Sequence, residues 1–466
     1  MSSPGPEVAP GPSESTPGSE PGALLHILGA GFGIAGAVGS SIGAGILRTP
    51  GLVAAQLGSG PLLLAAWLLG GVYSLLGGLA VAELAAALPS AGGWFVYARR
   101  AAGDGAGFAV GWIDWLGQCA GLAWVAVTIS EYTLALVPGL PLSGRAIALL
   151  VLLGFALLQC FGLAAGSLSQ KLLTFAKAFA FLALIAACFL LAPPAPLGPQ
   201  LAPLPPPQGL ALAGAFVFAL QGVITTYDGW HSPIYFAEEF AAPATDLPRS
   251  LVGGVLAVSG LYLLVNLALL RVLSLPELAE SPLPLAAAAR VLFGGAGGQL
   301  ITVLALVSCL GLINAVIMAA PRVLYGLSRD GLGLPLLVRV NAGGTPVAAL
   351  ALTAAAAAAL VLVADFAVLL GMAAFLYVLL YATGIASLVV LRWREPELPR
   401  PFRDWGYPLT ALTVGLTSLA FLLGALWSDT RNSLLALGLI LLSVPLHWGL
   451  RRLAAGSSAS DLPPLA

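Results

Sequence analysis

Two clusters of small and polar residues interrupt long apolar runs of this chain, and a lysine lies inside a third run. The first cluster is GSSIGAG, from Gly39 to Gly45; the second is TYDGWHSP, from Thr226 to Pro233, with Thr225 just ahead of it. The first has no charged side chain, so what it offers a ligand is backbone, at Ser41 and Ile42 and beyond. A helix restarting after Ile42 would turn the N–H groups of Gly43, Ala44 and Gly45, with the positive end of its dipole, toward a carboxylate. The second offers Asp228 and the freed carbonyls of an unwound turn, a combination suited to an ammonium group. Lys177, in QKLLTFAKAFAFLALIAA, is one of two lysines beside seventeen arginines.

Each feature also has a plainer reading. Small residues let membrane helices pack closely. Asp228 can tie down neighbouring N–H groups and hold its break open. Lys177 can snorkel to the nearer interface. Alternatively, it sets its ammonium against the carbonyls of the first break in place of a bound cation, and buried there it could take and release a proton. Tyr227, Gly229 and Trp230 complete the second cluster; Trp230 reads as packing more than gate, and His231 as a satisfied polar residue. Glu83 and Asp114 are expected at the inner interface, and Glu131 near the outer end of its run.

What must position these residues is a bundle of membrane helices. Of 466 residues, 59% are hydrophobic and 8% are charged, too few polar groups to clothe a water-facing surface. A helix needs about 20 largely apolar residues to cross the hydrocarbon, and twelve stretches between Leu24 and Leu450 supply them. The clusters fall in the first (Leu24 to Ala54) and sixth (Leu210 to Phe236), and Lys177 in the fifth (Leu168 to Leu191). Non-helical backbone at bilayer depth is tolerated only inside protein or beside a cavity. Two such breaks five spans apart point to a transporter built from two five-span repeats in opposite topology.

The expected organisation is a disordered tail over 1–22, a transport core of ten spans over 23–391, two further spans over 392–453 and a second tail over 454–466. The proline-rich stretch Pro193 to Gln208 reads as an extended connector. With the N-terminus cytoplasmic, thirteen Lys and Arg residues fall on the inner side and five on the outer, as positive-inside bias requires.

Several chemistries lack their residues. The four cysteines lie in apolar runs and read as packing, not as a disulfide framework. Histidines and cysteines show no ligand spacing, so neither metal nor cofactor is expected. No Walker motif, nucleophile elbow or paired Asp-rich segment appears, which leaves ATP-driven transport within this chain and enzymatic activity unsupported.

At these residues the chain resembles the amino acid–polyamine–organocation superfamily, most closely its L-amino acid transporter-like and related bacterial permeases. GSSIGAGILRTPG is similar to that family's first-span motif and PSAGGWFVYARRAAGDGAGFAVGW to its inner loop between spans two and three. YDGWHSPIYFAEEFAAPATDLPRSL resembles its sixth span and following loop, and NAVIMAAPRVLYGLSRDG its eighth. The resemblance implies the five-plus-five inverted-repeat fold. By position it assigns the α-carboxylate to the N–H groups of Ala44 and Gly45, and the α-amino group to carbonyls around Ser41, Thr225 and Asp228. Lys177 matches the fifth-span lysine that takes the place of sodium in sodium-independent members. Two departures stand out: Thr225 occupies a position where related exchangers often carry an aromatic gate, and Val137 to Arg145 lacks the cysteine that joins eukaryotic members to a glycoprotein subunit.

The expectation is therefore an all-α integral membrane protein, a sodium-independent exchanger or facilitator of neutral and possibly cationic amino acids. Its partners would be the substrate and the lipid bilayer, with no nucleic acid and no covalent glycoprotein subunit, and its setting a bacterial inner membrane. The rivals are a proton-coupled amino acid or polyamine symporter and a membrane-embedded amino acid sensor.

Overall fold

The computed structural model describes residues 24–43, 45–192, 207–363 and 366–460. The 1–22 tail, Ala44 and most of the proline-rich connector lie outside them. α1 (Ala30–Ser41) and α2 (Gly45–Leu57) form one span bent by 52°. α3 (Gly60–Ala87), the short α4 (Trp94–Ala102), α5 (Asp104–Leu136), α6 (Gly144–Cys160) and α7 (Leu163–Leu191) complete the first half. α8 (Gly209–Tyr227) stops at Asp228 and resumes as a 3-10 segment, Ser232–Glu239. Then come α9 (Pro243–Val272), α10 (Leu275–Glu280), α11 (Pro284–Phe293), α12 (Ala296–Arg329), α13 (Val347–Val363), α14 (Phe366–Arg394), α15 (Leu409–Ser428) and α16 (Thr430–Ser460).

Among the described residues, nine helices are long and apolar enough to cross a membrane, and the bent α1–α2 pair makes a tenth. The apolar helices α6 and α13 are 17 residues long, just short of that test. Each of the twelve predicted stretches is thus occupied by a helix or a broken helix pair. α16 departs from expectation at its end: it continues to Ser460, through residues read as tail. Ala454 and Ala455 favour helix, and Pro463 is the first residue beyond Arg452 that forbids it.

Packing pairs the two halves. α2 lies against α8, α3 along α9 and α5 along α12, so the first, second and third spans meet the sixth, seventh and eighth. The most apolar windows of α3, α5 and α12 are each 56% buried, against 22% for α15 and 17% for α16. The last two spans therefore flank the core and turn mostly outward. Leu153, Leu157, Phe175 and Phe179 on α6 and α7 are exposed as well, which in a water-soluble protein would be an aggregating patch and here is surface for lipid tails. Inside, Trp67, Tyr227 and Tyr262 bind α3, α8 and α9 together, with ring centroids 5.3 Å apart for Trp67–Tyr262 and 5.0 Å for Tyr227–Tyr262. Such edge-on pairs add about 0.5–1.5 kcal/mol beyond the area they bury.

The end that gathers the arginine-rich loops is closed by ion pairs. Arg322 forks onto Glu239, both fully buried, and Arg329 reaches Glu238. Arg99 of α4 joins Asp104 at 2.9 Å and Asp330 at 2.6 Å. Glu83 corrects the sequence reading: it is 1% exposed, held by Arg392, by Arg400 at 3.1 Å and by the Asp404 N–H at 2.7 Å. Two of the arginines in 392–403, counted as loop charge, thus turn to satisfy it. Cys119, Cys188 and Cys309 pack as expected, whereas Cys160 is exposed at the end of α6.

Candidate functional site

The first break follows from where its hydrogen bonds go. The Ile42 N–H still reaches back to Val38 O at 3.0 Å, but the Gly43 N–H turns to Ser41 O at 2.9 Å. Gly39 O, which Gly43 would have capped, is left free, as are the last carbonyls of any helix that stops. Lys177 takes them. Its Nζ donates to Gly39 O at 2.8 Å, Ile42 O at 2.9 Å and Ser308 O at 3.1 Å, using all three ammonium protons. The side chain is fully buried, so the snorkelling reading does not hold. A cation at the C-terminal end of α1 also opposes the negative end of its dipole. Gly311 makes room for it, since a Cβ there would lie 2.8 Å from Lys177 Cε.

The second break is set against the first. Gly229 has φ of +108°, where glycine is favoured, and a Cβ on it would fall 2.6 Å from the backbone carbon of Ser40. Tyr262 spans the two breaks: its hydroxyl lies 2.8 Å from Ser41 O and 3.0 Å from Thr226 O, so one proton serves a carbonyl of each. Thr49 and Thr226 meet through their hydroxyls at 2.7 Å, joining α2 to α8.

Between the breaks lies a cavity of about 440 Å³. Of the predicted site residues, Ser41, Gly43, Gly45, Thr225, Thr226, Asp228 and Gly229 are on its wall. Ile42, Tyr227 and Trp230 stand behind it instead: Ile42 gives its carbonyl to Lys177, Tyr227 donates to Trp67 O at 3.1 Å, and Trp230 stacks on Tyr381 at 5.4 Å. Ala44 lies outside the described residues. Two wall residues each keep one polar atom buried out of the cavity without a hydrogen-bond partner, Ser41 its Oγ and Asp228 its Oδ1. His231 Nδ1 bonds the Tyr381 hydroxyl at 3.2 Å and stays 3.8 Å from Asp228. The far wall brings residues that the sequence did not single out, Gln118 and Thr128 from α5 and Tyr377 and Tyr381 from α14. For the two tyrosines the signal was present as polar residues four apart within an apolar run, and for Gln118 and Thr128 as single polar residues in another.

Asp114 requires a second correction. It was expected at the interface, but it is 0% exposed, accepting from Gln118 Nε2 and the Tyr235 hydroxyl, each at 2.9 Å. The cavity stops above it. None of the ion pairs of the arginine-rich end touches the cavity wall, whereas Arg48, Glu131 and Thr225, all exposed, line it toward the opposite end.

A family profile described as amino acid permease matches residues 33–444. The chain belongs to the amino acid permease family. The permease is 27% identical over 458 residues to the serine/threonine exchanger SteT of Bacillus subtilis, a match covering 93% of this chain and 99% of that protein. It is 28% identical over 431 residues to the human large neutral amino acids transporter small subunit 2, covering 88% and 78%. Human Asc-type amino acid transporter 1 is 29% identical over 388 residues, covering 78% and 71%. In the permease, the broken spans, the cavity between them and the lysine at the first break are thus parts of a membrane transport protein.

Proposed function

We propose that this permease is a sodium-independent exchanger or facilitator of amino acids that works by alternating access and is here open at the end opposite the arginine-rich one. The observation that carries the reading is an asymmetry of charge between the breaks. The carbonyls of the first already hold an ammonium, that of Lys177, while the second places on the cavity wall a partly exposed carboxylate, Asp228, that no lysine or arginine among the described residues pairs. The α-ammonium of a substrate fits Asp228 and the carbonyls around Ser41 and Thr225. Its α-carboxylate fits the N–H groups that begin α2 at Gly45, with Ala44 before them. The substrate side chain then faces Gln118, Val125 and Tyr377, in a space large and apolar enough for bulky neutral residues.

The arginine-rich end is assigned to the cytoplasm of a bacterial cell membrane, which places the N-terminus inside. Residues 23–391 form the transport core and 392–453 two additional spans. The loop from Val137 to Arg145 offers no cysteine for a covalent subunit. Counterflow of labelled amino acids into proteoliposomes, with sodium present or replaced by choline, tests this reading. Equal counterflow in both media is the expected result; a strict sodium requirement would remove the role given to Lys177. Tight binding with no counterflow would indicate a sensor.

A further inference from the structure

Among the described residues, three carboxylates are buried in the body of the core with 1% exposure or less, and they are solved differently. Glu83 and Glu239 each hold arginine guanidinium groups. Asp114 holds none: it is in no ion pair, its Oδ1 takes two neutral donors, and its Oδ2 is buried without any partner. Arginines of the elements packed on α5 pair with other carboxylates, and no ion pair among the described residues includes Asp114. Arg99 is tied to Asp104 and Asp330, Arg322 to Glu239, Arg392 to Glu83, and Arg451 to Asp104. The titratable groups around it are Tyr235, with His231 behind at 5.8 Å between ring centroids, and Tyr377, whose hydroxyl donates to Gly117 O on Asp114's own helix. Asp228 differs, because its side chain is 26% exposed and lies on the cavity wall, where a substrate ammonium can approach it. Nothing in the cavity can reach Asp114 past Gln118 and Tyr235.

An ionised carboxylate with one bare oxygen at this depth is penalised by several kcal/mol, whereas a neutral hydroxyl left unpaired there costs about 1–3 kcal/mol. We propose that Asp114 is a proton-binding site directly beneath the substrate cavity. It carries a proton on Oδ2 while Tyr235 and Gln118 cap Oδ1, and returns it to water when the segment bearing Tyr235 moves away. Tyr235 follows the second break by a few residues, so whatever moves that segment during transport also uncovers the carboxyl. The balance is simple: a carboxylate takes one proton from water and gives one back, with no other bond made or broken. The coupling to transport rests on the function proposed above; the proton site itself does not.

Infrared spectroscopy of the purified full-length protein in D2O tests occupancy without reference to transport. The wild type should show a carboxylic acid C=O band near neutral pH that is absent in Asp114→Asn. In Tyr235→Phe, which removes a donor from the ionised form, that band should persist to higher pH. A wild type without the band, or a band unchanged in Asp114→Asn, overturns the proposal. In proteoliposomes, wild-type counterflow should fall by about threefold or more as pH rises through the loss of the band, and Asp114→Asn should be flat with pH. A pH profile in Asp114→Asn identical to wild type refutes the coupling. If no amino acid is transported at any pH while the band behaves as described, the transport reading fails and the proton site stands.

Discussion

The two helix breaks are built from different materials and have been completed to different degrees. The first contains no charged residue, and the protein finishes it by bringing Lys177 from α7 to the carbonyls that the break released. The second contains a carboxylate, and the protein leaves it unfinished: Asp228 lies on the cavity wall with no lysine or arginine against it among the described residues. A break completed from within is a fixed part of the scaffold. One left incomplete has affinity for whatever can complete it, and the cavity between them decides what is admitted.

Blocking the approach of the breaks should have the largest effect. Gly229→Ala pushes a Cβ into the Ser40 backbone at a position with positive φ; folded protein recovered by size-exclusion chromatography should fall sharply, and normal recovery would separate the breaks as independent features. Lys177→Ala reopens the first break. With two freed carbonyls left buried at about 1–3 kcal/mol each, counterflow per molecule should drop at least about tenfold, and more than surface abundance does. Asp228→Asn removes the charge the second break offers. Since hydrogen bonds to charged groups contribute about 1.5–3 kcal/mol, the KM for neutral substrates should rise by roughly ten- to a hundredfold, and uptake of cationic amino acids should fall further than that of neutral ones. Tyr262→Phe deletes the one hydroxyl shared by both breaks. A loss of about 1 kcal/mol should appear as a small decrease in thermal stability with a KM change of a few-fold; no change in either would show that the glycine contact alone holds the breaks together.

Much of this arrangement was readable in the chain because the bilayer constrains it. Unpaired backbone is so costly in hydrocarbon that a glycine-dense or Asp-Gly-containing interruption has few explanations, and the breaks at Ser41 and Asp228 fall where those residues predict. Lys177 was ambiguous for a definite reason: a position about ten residues into a span fits either an interface or a buried partner, and only the placement of Gly39 O and Ile42 O decides between them. The readings of Glu83 and Asp114 failed because distance along a helix sets depth in the membrane, not which neighbour covers the side chain. Arg392 and Arg400, which bury Glu83, are more than three hundred residues away in sequence. The tyrosines of α14 were missed because period-four polar positions on one helix do not say which helix they face.

In the proposed function Lys177 also sets the energetics of transport. A sodium ion bound at the first break would be released on one side of the membrane and would bring its own gradient to bear on the cycle. An ammonium that belongs to the polypeptide is carried out and back unchanged, so the sodium gradient does no work on this permease. In the proposed exchange mode, the steepest accumulation of one amino acid would be limited by the gradient of the one exchanged for it, and by any proton that the cycle also moves.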